Sequence, residues 1–262
     1  TMATPSLILH GVPLSQPFRS VVWPLLIKGA PFTLQVAAPG KGKYGTRRPD
    51  YLDKFPLATV PSIEDKTGDS SVCISEAPAI LAYLSSKHCW ADIYPSDIAA
   101  RAKVDEYCHW HHSNLRSITK AYFRVFTIPH PLITPDVINL YKKQANTSLK
   151  IIENAYLKSS SSGFLLGTDY PTAADFMAYE EAAQISPQFG NIHNLEEFPR
   201  VRAWLEKMSA LPFHDEVHAG LRALGNLTSA DPLIADRLRS ASKIGVKAIA
   251  EAQKQRRVTS KL

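Results

Sequence analysis

Ser15 stands in the run Leu14-Ser15-Gln16-Pro17, after a short apolar stretch and directly before helix-like periodicity begins. Proline has the fixed φ and missing N–H favoured at the first positions of a helix, so Pro17 marks a helix start and puts Ser15 at its mouth. Unpaired backbone N–H groups and the positive end of the helix dipole converge there. Such a place holds an anion, and it lowers a thiol's pKa from about 8.5 toward neutrality. A serine hydroxyl at that point can donate to a bound anion without being a nucleophile itself. On these residues alone, an ordinary N-cap is the favoured reading of the serine, because N-cap serine is so common.

Three other groups are set aside on their spacing. His109, His111 and His112 in "HWHHSNLR" place His109 and His112 on one helix face, but no carboxylate joins them in a recognised metal-binding arrangement, and no metal site is expected. Cys73, Cys89 and Cys108 lack CxxC or finger spacing and are odd in number. They predict buried, reduced thiols, with neither a disulfide framework nor a zinc site. Thr172-Ala-Ala-Asp175, ahead of "FMAY", has the pattern of a capping box, which gives Asp175 a structural role and not that of a catalytic acid.

The elements that must position Ser15 alternate in type. "SLILH" (6–10) and "FTLQVA" (32–37) predict strands on either side of a helix from Pro17 to Lys28, with Gly29 as its C-cap and Pro24 as a kink. A loop rich in Gly, Lys and Arg (Gly40 to Arg48) and a short helical piece at "PDYLDKF" follow. "VPSIED" and "SVCIS" then predict a hairpin, and "EAPAILAYLSSKH" (76–88) an amphipathic helix with Ser75 as its N-cap. Beyond Pro95 only helices are expected, near 97–126, 136–158, 172–186 and 199–210. The chain thus divides into an α/β domain over residues 1–90, an all-α domain over 95–220, and a basic helical tail over 221–262.

Bulk properties agree with two soluble domains: 262 residues, 45% hydrophobic and 21% charged. No apolar run approaches the ~20 residues needed to span a bilayer, so no stable membrane insertion is expected. The first residues lack the basic flank and long apolar core of a signal peptide, which predicts an intracellular protein. Residues 226–262 hold eight Lys/Arg against Asp231, Asp236 and Glu251, so five of the six net positive charges lie there. The near-neutral body gives no electrostatic case for nucleic acid. An alanine-rich stripe in the tail (Ile234, Leu238, Ala241, Ala248, Ala252) suits either a cover over the site or a loosely attached arm. The tripeptide Ser260-Lys261-Leu262 matches a peroxisomal address read by an import receptor. The alternative is a cytoplasmic protein in which that tripeptide is accidental.

Taken in order, "LSQPFR", "ATVPSIED", "ISEAPAILAYL", "DEYCHWHHSNLR" (105–116), "TDYPTAADFMAYEE" (168–181) and "FPRVRAWLEKM" (198–208) resemble the glutathione transferases, most closely the theta class. The resemblance spans residues 6–218. It implies a thioredoxin-like N-terminal domain that binds glutathione, an all-helical second domain, and a homodimer. It implies a Ser, Tyr or Cys at the end of the first strand as the residue that activates the glutathione sulfur. No Tyr precedes Tyr44 and no Cys precedes Cys73, which leaves the serine form at Ser15.

By the same resemblance Val60-Pro61 matches a cis-proline whose preceding residue meets the cysteinyl part of glutathione, and Glu76 with the N–H of Ala77 meets its γ-glutamyl end. Arg47, or its neighbours Lys41, Lys43 and Arg48 in the glycine-rich loop, would replace a contact to the glycine carboxylate, the alternative for each being a solvated loop charge. Arg116 would face the sulfur and steady developing charge on a leaving group. Val12, Trp110, Phe123 and Phe126 would line an apolar substrate pocket. The implied activity is thiolate attack on small electrophiles in detoxification, with organic hydroperoxides as peroxidase substrates suggested by the peroxisomal address. Thr59 stands where theta relatives often carry Lys, and Ala77 where family members usually carry a hydroxyl residue. A non-catalytic binding or interaction protein is therefore the alternative.

Overall fold

The computed structural model describes residues 5–128, 133–227 and 229–259. Strand β1 (Leu7–Gly11) buries Leu7 and Leu9, and helix α1 (Gln16–Lys28) crosses to strand β2 (Thr33–Val36), which pairs with β1 in parallel as a helical crossover requires. After the short helix α2 (Pro49–Leu52), β3 (Ser62–Asp65) and β4 (Val72–Ser75) form an antiparallel hairpin, with β3 antiparallel to β1. The sheet order is β2-β1-β3-β4, and helix α3 (Ala77–His88) closes this half. The expected α/β thioredoxin-like half is present.

Helix α1 is apolar on nearly every face because it lies between two layers. Phe18, Val21, Val22, Trp23, Leu25 and Leu26 are all buried, against α3 on one side and three helices of the second half on the other. The helix runs through Pro24 to Lys28. Gly29 ends it in the left-handed region (φ 67°), where its N–H reaches the Leu26 carbonyl at 3.1 Å. A Cβ in that conformation is disfavoured, which is why glycine stops the helix there.

The second half is helical: α4 (Ile98–Ser113), α5 (Arg124–Thr127), α6 (Pro135–Ile151), α7 (Ala173–Ala183), α8 (Pro199–Ser209), α9 (His214–Leu224) and α10 (Ile234–Thr259). The single helix expected over 97–126 is divided. Helix α4 stops at Ser113, a turn carries Arg116, and a π-helical turn at Thr119–Phe123 leads into α5. Helix α9 was not expected, because Phe213 with φ 63° stands at its N-cap in place of a polar capping residue. Ser75 is not the N-cap of α3. Glu76 holds that position with φ 72°, and Ser75 Oγ instead lies 2.8 Å from Ser62 Oγ, tying β4 to β3.

The capping box at the start of α7 is complete. Asp175 accepts from the backbone N–H of Thr172 (3.0 Å) and Leu165 (2.8 Å) and from Trp204 Nε1 (3.1 Å). Its role is to join three segments of the helical half, as the sequence pattern indicates.

Helix α10 packs along α9 and reaches α1 and α5, with Ala241, Ile249 and Ala252 buried. A Cβ on Gly245 would lie 2.5 Å from Pro13 Cβ, so the helix rests on the loop just before Ser15. The tail is a cover and not a loose arm. Ser260, Lys261 and Leu262 lie outside the described residues. Among the described residues no helix is long and apolar enough to cross a membrane.

Asp65 links β3 to α3 and supplies a pH-dependent part of the stability. Burial alone would raise its pKa, but Lys87, Thr67 and Tyr83 outweigh burial and hold it down at about 2 against an ordinary 3.8. A depressed carboxylate stabilises the fold above its ordinary pKa, and that stability is lost as the pH falls through the folded value. Urea midpoints of wild type and Asp65→Asn should therefore differ at neutral pH and converge between about pH 4 and pH 2. A constant difference across that range would refute the assignment.

Candidate active site

Two cavities meet where the halves join. The polar one, of ≈ 220 Å³, is lined from the sheet side by Thr59, Val60, Pro61, Glu76 and Ala77, and from the helices by Gln16, Arg116 and Glu181 among others. The larger one, of ≈ 370 Å³, is mainly apolar and includes Val12, Leu14, Ser15, Phe123, Ile128 and Leu238. Gln16, Thr59, Val60 and Arg116 border both. A ligand filling the polar cavity has one end exposed to the apolar one.

Ser15 holds the N-cap position of α1 with extended backbone, but its side chain makes no capping hydrogen bond. Its N–H donates to the Val12 carbonyl (3.0 Å) and its own carbonyl accepts from Arg19 (3.1 Å). The backbone therefore fixes the serine while its hydroxyl is not tied to the helix. The loop below it is braced by Arg19, whose Nη1 donates to the Pro13 carbonyl at 3.0 Å, and by Gly245 pressing on Pro13.

The sheet side of the polar cavity is held by three hydroxyls. Tyr51 donates to the Thr59 carbonyl (2.7 Å) and lies 3.1 Å from Ser62 Oγ, which in turn meets Ser75. This chain positions the segment Ala58–Pro61, with its cis Val60-Pro61 bond, against Glu76. Thr59 Oγ1 donates to Glu76 Oε1 at 3.5 Å. Ala58 (φ 53°) and Glu76 (φ 72°) both have left-handed φ without being glycine, and both line a cavity. Such conformations cost about 1–3 kcal/mol each and persist where surrounding structure imposes them.

On the helical side, Arg116 forms an ion pair with Glu181, whose side chain is 0% exposed, and its Nη1 lies 3.4 Å from Gln16 Oε1. Glu181 also accepts from Thr119 Oγ1 (2.5 Å) and Gln184 Nε2 (3.1 Å), while Gln16 donates to Gln184. The carboxylate thus holds Arg116 and the first residue of α1 in one network. His111 lines the polar cavity as well, but burial, and after it the charge of Arg116, push its pKa well below the ordinary histidine value. A neutral imidazole there is a dipolar partner and not a cation.

Several residues singled out in the sequence are brought together: Ser15, Arg116, Thr59, Val60, Pro61, Glu76, Ala77, Val12 and Phe123 all line one cavity or the other. Trp110 and Phe126 are corrections. Trp110 lines neither cavity and packs against Tyr107 and Tyr156, at ring-centroid distances of 5.7 and 6.0 Å. Phe126 packs on the hydrophobic core. Arg47 is exposed and outside both linings, and Arg48 turns away to pair with Asp50. Residues that sequence reasoning missed include Gln16, Glu181 and Arg124. The first two carried a usable signal, since they stand inside quoted motifs.

The chain matches the glutathione S-transferase N-terminal domain over residues 9–89 and the C-terminal domain over residues 136–213. It belongs to the glutathione S-transferase family. Within that family it is theta-like. Mouse glutathione S-transferase theta-3 is 32% identical over 75% of this chain and 79% of its own. The crystal structure of human glutathione transferase theta-2 with glutathione and an unknown ligand superposes with a TM-score of 0.70, at 26% identity, over 95% of this chain and 98% of the other. A human theta-class transferase bound to the glutathione conjugate of 1-menaphthyl sulfate superposes at 0.68, with 27% identity, over 94% and 98%.

This theta-like transferase is thus an enzyme of a family whose co-substrate is glutathione, and its two adjoining cavities suit a two-part reaction. Among the described residues no group of three or more His, Cys, Asp or Glu could hold a metal. Of the three cysteines expected to be buried only Cys108 is, its thiol pushed up to about 12 by burial and then by Asp105, whereas Cys73 on the exposed strand β4 and Cys89 just after α3 are exposed. None of the three lines either of the two cavities.

Proposed function

We propose that glutathione occupies the polar cavity, with its γ-glutamyl end at Glu76 and Ala77 and its cysteinyl part along Val60. Ser15 donates its hydroxyl hydrogen to the sulfur and holds it as a thiolate, and the electrophile sits in the apolar cavity. The observation that carries this is the position of Ser15: at the mouth of α1, its hydroxyl not used in a cap, and on the wall of the apolar cavity beside the polar one. The helix dipole adds to the serine's effect on the thiol. Arg116, at the border of both cavities, steadies charge that develops on the departing group.

Organic hydroperoxides are the electrophile we favour. The thiolate attacks the terminal peroxide oxygen, the O–O bond breaks, and the alkoxide takes a proton to leave as alcohol. The sulfenic acid so formed condenses with a second glutathione to give the disulfide and water. Ultraviolet absorbance of the bound thiolate, titrated in wild type and Ser15→Ala, tests the central step. A wild type with no bound thiolate at neutral pH would favour the non-catalytic reading that Thr59 and Ala77 suggest.

Peroxisomal localisation rests on Ser260-Lys261-Leu262. A fluorescent reporter carrying residues 226–262 should appear in punctate organelles, and the same reporter without the last three residues should be diffuse. Diffuse signal from both would leave the protein in the cytoplasm.

A further inference from the structure

Among the described residues no Asp or Glu lines the apolar cavity, yet two arginines border it. They differ in their partners. Arg116 is paired with the buried Glu181, so its charge is matched inside the protein. Arg124, the first residue of α5, is exposed, and among the described residues its guanidinium has no ion-pair or side-chain hydrogen-bond partner. It directly follows Phe123, whose ring is buried and lines the same cavity. An unmatched cation at the opening of an apolar space attracts an anion attached to an apolar body, because the body fills the walls while the charge stays at the rim.

Resting on the assignment of this cavity to the electrophile, we propose that it takes electrophiles with an apolar chain and a terminal carboxylate, and that Arg124 is the specificity-determining residue that binds the carboxylate. The cavity sets the orientation. Gln16, Thr59 and Val60 border both cavities and Ser15 directly precedes Gln16, so the reactive centre points inward to the sulfur and the carboxylate outward to Arg124. A guanidinium suits that role because it meets a carboxylate with two parallel N–H donors. Among hydroperoxides this selects acids of extended apolar chain over small neutral ones, for which Arg124 would have no partner.

The test is binding to the full chain with glutathione present, measured by calorimetry at low salt with dodecanoate and, for comparison, the uncharged dodecanol. Wild type should bind the carboxylate at least about tenfold more tightly than the alcohol, as expected for a charge-assisted contact. Arg124→Ala should bring that ratio close to one, Arg124→Lys should keep part of it, and added salt should narrow the wild-type ratio. A wild-type ratio near one, a ratio unchanged in Arg124→Ala, or no binding of either compound would overturn the proposal. Because the readout is binding and not turnover, loss of the bound thiolate would refute the role of Ser15 without changing this result, and the converse holds.

Discussion

In Ser15→Ala the thiol of bound glutathione should titrate about 1–2 pH units higher than in wild type, and kcat/KM at neutral pH should fall about 10- to 100-fold. The size follows from the contact removed. A hydrogen bond to a charged group contributes about 1.5–3 kcal/mol, and one pKa unit corresponds to about 1.4 kcal/mol. The helix dipole and backbone N–H groups at the start of α1 survive the substitution, so part of the thiol's activation persists. Stability should change by less than about 0.5 kcal/mol, because the Ser15 side chain makes no capping hydrogen bond to lose. A structural cap would give the opposite pattern, with about 1 kcal/mol of stability lost and the thiol titration unmoved. Measuring thiolate absorbance and urea midpoints on the same pair of proteins separates the two roles.

Most of this site was legible because the elements that carry it are short and sharply punctuated. Pro17 and Gly29 bracket α1, so the position of Ser15 at its start could be read from residue types alone. Glu76 and Val60-Pro61 carry no such mark, and only the resemblance to a family assigned them a place. The failures lie where the backbone leaves regular geometry. At 3.6 residues per turn a continuous helix over 97–126 would set Trp110 on nearly the opposite face from Phe123 and Phe126, so periodicity alone did not bring the three to one cavity. The break after Ser113 and the π-helical turn at Thr119–Phe123 then set which ring enters: Phe123 lines the cavity while Trp110 and Phe126 pack elsewhere. Arg47 lies outside both linings for another reason, since the turn-rich loop that carries it offers no periodicity from which to place a side chain. Leu238 could be assigned to a helical stripe, but its arrival at the cavity depends on Gly245 allowing α10 onto Pro13.

The same loop connects catalysis to a fully buried ion pair. Arg19 and Glu180 are 0% and 1% exposed and pair across α1 and α7, while His218 on α9 presents Nε2 to Glu180 at 3.0 Å and Nδ1 to the His214 carbonyl at 2.7 Å. Burial alone would raise the pKa of Glu180, but Arg19 and then His218 outweigh it and hold it below the ordinary value. Glu180→Ala should therefore lower stability by about 3–5 kcal/mol, because it leaves Arg19 charged, buried and without its carboxylate. One nitrogen of Arg19, Nη2, already lacks a hydrogen-bond partner among the described residues, which leaves little capacity to compensate. The paired replacement Arg19→Met with Glu180→Leu should cost clearly less than the two single changes added together, since it removes both charges at once. Denaturant melts of the two singles and the double give that coupling directly, and additive losses would refute it. Activity need not recover with stability in the double variant. Arg19 is also the donor that braces the Pro13 carbonyl beneath Ser15, so a protein that regains its fold without Arg19 should still show a raised pKa for the bound thiol.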